Sequence, residues 1–183
     1  MNPTLFQRLL GAEFYHLAPE VKALHSRPGR GRWRGKCTIK RGGNALAQLA
    51  CILSRLPPSM QGAPVTVEID SQGESEVWRR EFDGVPMASR LRANAGDLQE
   101  WLGPMRFRFR LYRIDGDLHW IAESARIFGL LPLPASWVEE VKCRESAADG
   151  RYHFLVDARL PLIGPLIRYE GWLQLDEDDA GDA

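Results

Sequence analysis

The chain has 183 residues, of which 44% are hydrophobic and 26% charged, and its 24 basic and 24 acidic residues leave no net charge. These values are typical of one globular domain and exclude a strongly basic protein built to bind a polyanion. The three cysteines are odd in number and form no CxxC motif, which favours a reducing cytoplasm and argues against structural zinc. No apolar run approaches the ~18 residues of a membrane-spanning helix, and no signal peptide is evident, so we expect a cytoplasmic protein without a transmembrane segment.

The first third of the chain is predicted to be mostly helical. One short helix begins after Pro3-Thr4, and a second begins at Pro19, where proline suits the first turn. The clearest helix spans residues 44–56, with Asn44 as its cap and Pro57-Pro58 after its end. Its large apolar residues recur at helical spacing and predict a core-facing side: Leu46, Leu49, Ile52, Leu53 and Leu56. On this interpretation Leu49→Ala costs about 2–5 kcal/mol, the usual range for a core leucine.

A basic segment lies between these helices. Residues 22–41 contain eight basic residues, no acidic residue and Trp33. A second basic stripe follows later in the chain, at Arg106, Arg108, Arg110 and Arg113. Basic residues interleaved with an aromatic ring can bind nucleic acid or anionic lipid. The zero net charge argues against nucleic acid, and arginines on a strand face commonly pair with carboxylates of adjacent strands.

After Pro64 the chain is predicted to be nearly all strand. Residues 105–114 alternate strictly between apolar and basic side chains, and Asp115-Gly116 then marks a two-residue turn. Asp149-Gly150 and Gly164-Pro165 introduce further strands in the same way. Four tryptophans lie on strands among apolar neighbours and are expected to be buried: Trp33, Trp78, Trp120 and Trp172. We count eight or nine strands, and antiparallel sheets of this length usually curl.

The predicted fold is therefore α+β. A strongly bent, mostly antiparallel sheet of about eight or nine strands, a half-barrel, wraps around helix 44–56 and is preceded by N-terminal helices. Residues 1–175 form a single domain, and residues 176–183 are an acidic tail expected to be disordered. The concave apolar face of such a sheet is where a small ligand would bind.

Several local patterns in the chain resemble one known family. They are RGG-x-LAQL from Arg41, PVTVEI from Pro64, E-x-W-R-R-E-F from Glu76, LQEWLGPMRFRF from Leu98 and LPL-x-GPLIRYEGWL from Leu160. Together they resemble the bacterial domain-of-unknown-function family numbered 4166. Members of that family occur alone or behind a saccharopine-dehydrogenase-like NAD(P)-binding domain. The resemblance implies the stand-alone form here, because no GxGxxG motif follows a strand, and it implies a separate dehydrogenase as partner. The family offers no catalytic residues to carry over.

Two charged residues share a face with core residues in the segment EVWRREF. Period-two alternation places Glu76 and Arg80 on the side of Trp78 and Phe82. Inward charges need partners, so Glu76 and Arg80 are expected to pair with each other or with a neighbour. They form either a structural ion pair or the polar anchor of a pocket. The candidate ligand-binding residues are Glu76, Arg80, His25, Glu100 and Tyr169, although His25 also fits a cap at the end of its helix.

The remaining motifs point to no metal, no cofactor and no catalytic residue. None of the four histidines has a metal-ligand neighbour at i+2, i+3 or i+4, and no nucleophile signature such as GxSxG is present. The leading prediction is a small-molecule binding domain with a concave pocket for an apolar or lipid-like ligand. One alternative is an enzyme or enzyme-accessory domain that uses the Glu/Arg cluster. Another is a nucleic-acid or anionic-membrane binder that acts through the basic loop 22–41, with peripheral membrane contact.

Overall fold

The computed structural model describes residues 3–176 and is dominated by one antiparallel sheet. The α-helices are α1 (Leu5–Leu10), α2 (Pro19–Ser26) and α3 (Ala45–Leu53), with 3-10 helices at Gly11–His16 and Ala135–Trp137. The strands are β1 (Gly29–Arg41), β2 (Met60–Gln72), β3 (Ser75–Phe82), β4 (Val85–Asn94), β5 (Asp97–Leu102), β6 (Met105–Ile114), β7 (Asp117–Ile127), β8 (Leu131–Pro132), β9 (Val141–Ala148), β10 (Arg151–Leu160) and β11 (Gly164–Leu175).

The sheet closes on itself to form a barrel. The strand order is β6-β5-β4-β3-β2-β1-β11-β10-β9-β7, and β7 pairs again with β6, so ten strands form a complete ring while β8 only extends β7. The predicted antiparallel sheet with accompanying helices is present, but the prediction of a half-barrel with eight or nine strands is wrong in closure and count, and the fold is mostly β. Closure removes both exposed sheet edges, which an open sheet of ten strands would leave unpaired.

Two-residue turns join many of the consecutive strands. Residue pairs with both φ angles positive connect β3 to β4, β4 to β5, β6 to β7 and β9 to β10; they are Asp83-Gly84, Ala95-Gly96, Asp115-Gly116 and Asp149-Gly150. This is the turn geometry that matches strand twist and that Asp-Gly sequences favour. The turns predicted at Asp115-Gly116 and Asp149-Gly150 are confirmed.

One end of the barrel is plugged by α1. Phe6 and Leu5 are completely buried, and the Phe6 ring lies 3.7 Å from the His25 ring and 5.5 Å from that of Trp120, measured between centroids. The Thr4 hydroxyl donates a hydrogen bond to the backbone carbonyl of His25 at 2.7 Å, which ties α1 to α2. The helix that enters the barrel is therefore α1 and not the predicted helix 44–56.

Helix α3 instead lies across the opposite end, which we call the mouth. Its N-cap Asn44 accepts a hydrogen bond from the Ala47 N–H at 2.8 Å and donates one to the carbonyl of Ile163 at 2.6 Å. At the other end of α3, a Cβ added to Gly103, in the turn between β5 and β6, would lie 3.0 Å from the Ser54 carbonyl oxygen. The helix thus spans the mouth from β11 to that turn.

The side of α3 predicted to face the core faces solvent. Leu46, Leu49, Ile52 and Leu53 are 52% to 66% exposed, while the small residues Ala47 and Cys51 are buried. Leu56, which follows the end of the helix, is half-buried and packs against the core as expected. The prediction was wrong because nearly every residue of α3 is apolar, so helical spacing did not mark one face as the inner one.

The other burial predictions hold for most residues. Trp33, Trp78 and Trp120 are buried as expected, but Trp172 is half-buried and lies on the outer face, under the guanidinium of Arg151 at 4.2 Å. Asp176, assigned by sequence to the tail, is buried and forms an ion pair with Arg34 at 2.7 Å. The rest of the predicted tail, 177–183, lies outside the described residues.

Candidate functional site

The barrel encloses a cavity of about 710 Å³ between the mouth and the middle of the barrel. Its lining is aliphatic and aromatic, and includes Phe107, Phe109, Val141, Ala158 and Ile167. Arg55 at the mouth and Glu100 at the floor are its charged lining residues among those described. The volume lies within the ~300–1,000 Å³ of typical small-molecule sites.

A smaller chamber of about 60 Å³ continues below this cavity toward the plugged end. The two spaces share the lining residues Glu100, Cys143, Val156 and Tyr169, which we call the floor. The smaller chamber is more polar, with Arg80, Glu145 and Tyr152 in its wall. An apolar upper space and a polar lower one therefore lie along the same axis.

Arg80 and Glu100 form the charged pair nearest to the floor. Their closest side-chain atoms are 3.6 Å apart, and both side chains are about nine-tenths buried. The Arg80 guanidinium also donates a hydrogen bond to the Ser89 hydroxyl at 2.9 Å and lies 4.8 Å from the centre of the Trp78 ring. These contacts fix Arg80 on the inner face of β3, where alternation predicted it.

A second polar cluster lies between the small chamber and the α1 plug. His25 Nε2 is 2.6 Å from Glu145 Oε2, and both residues are buried. Glu76 accepts hydrogen bonds from Trp78 Nε1 at 2.8 Å and from the Ser71 hydroxyl at 3.2 Å. Burial raises the pKa of the Glu76 carboxyl above its ordinary value, and the nearby Glu145 adds to this, while His25 and the two hydrogen bonds act in the opposite direction.

The tyrosines of the site remain protonated donors at neutral pH. Burial raises the pKa of both Tyr152 and Tyr169 above the ordinary value, and the Glu145 carboxylate raises that of Tyr152 further. Burial likewise raises the pKa of the Cys143 thiol, so this residue is not a thiolate nucleophile. Trp120 Nε1, on another wall of the small chamber, is a buried donor with no hydrogen-bond partner among the described atoms.

The five predicted site residues divide into two groups. Arg80, Glu100 and Tyr169 line the chambers, whereas Glu76 and His25 belong to the buried cluster beneath them and line neither chamber. Glu76 and Arg80 share a face but do not pair, since each finds its partners on other residues.

Sequence reasoning missed Tyr152, Glu145 and Cys143. Tyr152 could have been found, because it alternates with Phe154 and Val156 on β10. Glu145 carried no such signal, because its partner His25 is 120 positions away in the chain.

The predicted basic stripe on β6 lies on the outside of the barrel and is largely paired. Arg108 and Arg110 contact Asp97 and Glu123 at 3.0–3.7 Å. Arg113 forms an ion pair with Glu13 at 2.6 Å. The expected pairing with carboxylates of adjacent strands is thus present for Arg108 and Arg110, whereas Arg113 pairs with a residue of the first 3-10 helix.

Two further features bear on function. Within residues 3–176 no cluster of three or more His, Cys, Asp or Glu side chains is placed to hold a metal ion. No helix in the same range has the length and apolar character needed to cross a membrane.

Fold and cavity together define a closed antiparallel barrel with a plugged end, an open mouth and an apolar interior. Residues 17–173 match the family model described as Domain of unknown function (DUF4166), and the chain belongs to this family. No curated protein matches the chain by sequence. One similar solved structure is the crystal structure of Rv2717c from M. tuberculosis, which is 15% identical, with 88% of this chain and 99% of that chain covered and a TM-score of 0.45. At that level of similarity it supports no functional inference.

Proposed function

We propose that the protein binds a neutral, mostly apolar small molecule inside the barrel, with an oxygen-bearing end at the floor and an apolar body below α3. The observation that carries this proposal is the cavity of about 710 Å³ with its aliphatic and aromatic lining. Protein interiors are normally close-packed, so a cavity of this size with an apolar lining offers an extensive contact surface to a small molecule.

The charge balance of the floor favours a neutral polar end. The positive charge of Arg80 is already matched by Glu100, and Glu145 adds another carboxyl group to the wall of the small chamber. Because Glu145 is itself in contact with His25, an incoming anion would meet no unpaired positive charge among the described residues of the floor, and its desolvation would not be fully compensated. A hydroxyl or carbonyl group carries no such cost.

The available hydrogen bonds also favour an acceptor oxygen on the ligand. Tyr169 at the floor is a protonated donor, and Trp120 Nε1 is a buried donor without a partner among the described atoms. A buried donor left unsatisfied costs about 1–3 kcal/mol, which a ligand oxygen or a bridging water would recover. Alcohols, ketones and esters with a long apolar part fit this pattern.

The alternatives drawn from the sequence gain less support. The enzyme alternative relied on a Glu76/Arg80 cluster, but the two residues do not pair: Glu76 lines neither chamber and already accepts two hydrogen bonds, and Arg80 is paired with Glu100. In the basic loop 22–41, Arg32 is paired with Glu68 and Arg34 with Asp176.

The test is a titration with N-phenyl-1-naphthylamine, a neutral apolar fluorophore, on delipidated protein. We expect saturable binding that dodecan-1-ol displaces more effectively than dodecanoate at neutral pH. Ala158→Phe places a ring inside the cavity and should weaken binding at least about tenfold, because the lost apolar burial amounts to at least ~1.4 kcal/mol. Ala88→Phe makes the same change at an exposed position on β4 and should leave binding intact. Equal binding by both variants would place the fluorophore on the surface and contradict the proposal.

A further inference from the structure

The exposed apolar side chains of the described chain are concentrated at the mouth. Eight of the 13 exposed large hydrophobic residues lie there, and we call this set the rim: Leu46, Leu49, Ile52, Leu53, Phe128, Leu130, Leu131 and Leu162. Four of them form the outer side of α3, a helix that is apolar nearly all round. Such helices are normally buried on all sides, but the outer side of α3 is not packed against any other described part of the chain.

Two rim residues have backbone conformations that are unfavourable for large side chains. Phe128 and Leu162 have φ angles of +50° and +65°, and they are 78% and 97% exposed. A left-handed backbone is unfavourable for a bulky residue, and neither side chain gains burial in return. Both project from connections next to the cavity, since Phe128 and Ile163 are among its lining residues.

Cations surround the rim. Lys40, Arg55, Arg126 and Arg159 are exposed at the mouth, and among the described residues none of the four forms an ion pair. The rim segments 40–60, 126–135 and 159–165 contain no acidic residue. The exposed acids at this end lie outside these segments, at Glu81 near the end of β3 and at Asp83, Glu139 and Glu140 in other connections, and Glu140 pairs with Lys142.

We propose that the rim docks the barrel, mouth first, onto a membrane surface that contains anionic lipid, and that the ligand passes between this surface and the cavity. The second half of this statement rests on the proposed function. Apolar side chains flanked by cations are the features that hold a peripheral protein at a lipid interface. A second copy seated face to face on the rim would instead close the mouths of both cavities.

The test is flotation of the full chain with two kinds of vesicle: pure phosphatidylcholine, and phosphatidylcholine with a minor fraction of phosphatidylglycerol. We expect binding to the mixed vesicles, weaker binding to the pure ones, and a loss of binding as salt is raised. Replacing Leu49 and Ile52 with serine should weaken binding roughly tenfold or more, because both side chains would otherwise leave water. The thermal unfolding midpoint should hardly change, since both positions are exposed.

Ile114→Ser is the matched control. Ile114 is 52% exposed, against 62% for Ile52, but it is the last residue of β6, at the plugged end. Its replacement should leave vesicle binding unchanged. Equal losses from both changes, or no binding to mixed vesicles, would overturn the proposal. Self-association that Ile52→Ser abolishes, without vesicle binding, would make the rim an interface between copies.

Failure of the ligand-binding proposal can be distinguished from failure of the membrane-docking proposal. The cavity variant Ala158→Phe leaves the rim intact, so it should lose the fluorophore and still bind vesicles. If wild type takes up no fluorophore but floats with mixed vesicles, docking holds and only the proposed function is lost.

Discussion

At the scale of single residues, the charged side chains inside the barrel each contact a different partner. Arg80 contacts Glu100, His25 contacts Glu145, and Glu76 is held by Trp78 and Ser71. Charges inside a barrel persist only when they are paired or neutralised, because desolvation is costly. Arg80 and Glu100 line the chambers, the His25–Glu145 contact ties α2 to β9, and the bonds of Glu76 lie within β2 and β3.

The free energy of unfolding of Glu76→Gln should rise relative to that of the wild type as pH increases. The pKa of Glu76 is raised in the folded protein, so the unfolded chain releases this proton first and the folded state loses its relative advantage as pH increases. The loss begins near the ordinary pKa of 4.5 and is complete above the folded-state pKa. Glutamine can keep the hydrogen bond from Trp78 and has no proton to lose. Urea unfolding of both proteins at several pH values from acid to neutral measures the difference, and a difference independent of pH would contradict this assignment.

At the scale of elements, α1 occupies the interior of the barrel, which is the position that the sequence suggested for α3. The short helix α1 buries Leu5 and Phe6 completely and closes the barrel, whereas α3 contributes only small residues to the core. Leu49→Ala should therefore change the free energy of unfolding by no more than about 0.5 kcal/mol, as at other surface sites. Phe6→Ala should cost about 3–5 kcal/mol, because it removes a ring packed against His25 and Trp120. Chemical denaturation of the two variants tests this, and a large loss with Leu49→Ala would return α3 to the core.

Strands and turns were predictable from the sequence because their signals are local. In β1, for example, Trp33, Cys37 and Ile39 are buried while the intervening Arg34 and Lys36 are exposed, which is the alternation visible in the sequence. The location of α3 was not predictable, since a helix that is apolar nearly all round does not reveal which side is covered. Barrel closure was also hidden, because the short pairing between β7 and β9, over Leu118–Ile121, completes the ring and no local pattern specifies it.

The candidate site was predictable only in part for the same reason. The inward direction of Glu76 and Arg80 followed from the pleat of β3. Glu100 and His25 were expected in the same site, but the specific pairings did not follow from the sequence, because Ser89 lies on β4, Glu100 on β5 and His25 on α2. Which side chains meet across different strands depends on how the whole barrel closes, and no local pattern specifies it.

At the scale of the whole molecule, the two ends of the barrel differ in character. The plugged end has polar two-residue turns and an ion pair between Arg8 and Glu74, while the mouth carries most of the exposed apolar residues and leads into the cavity. On the proposed function, a ligand enters at the mouth, its polar end lies at the floor, and its apolar body occupies the space between α3 and Tyr169.

The most direct test is a crystal structure of the protein with 12-bromododecan-1-ol, read from the anomalous signal of bromine. We predict one strong bromine peak inside the barrel below α3, with the hydroxyl oxygen at the floor within hydrogen-bond distance of Tyr169 or Trp120 Nε1. The same experiment on Ala158→Phe should show no internal peak. Bromine only on the outer side of α3, or an empty cavity in wild type at saturating ligand, would contradict the account.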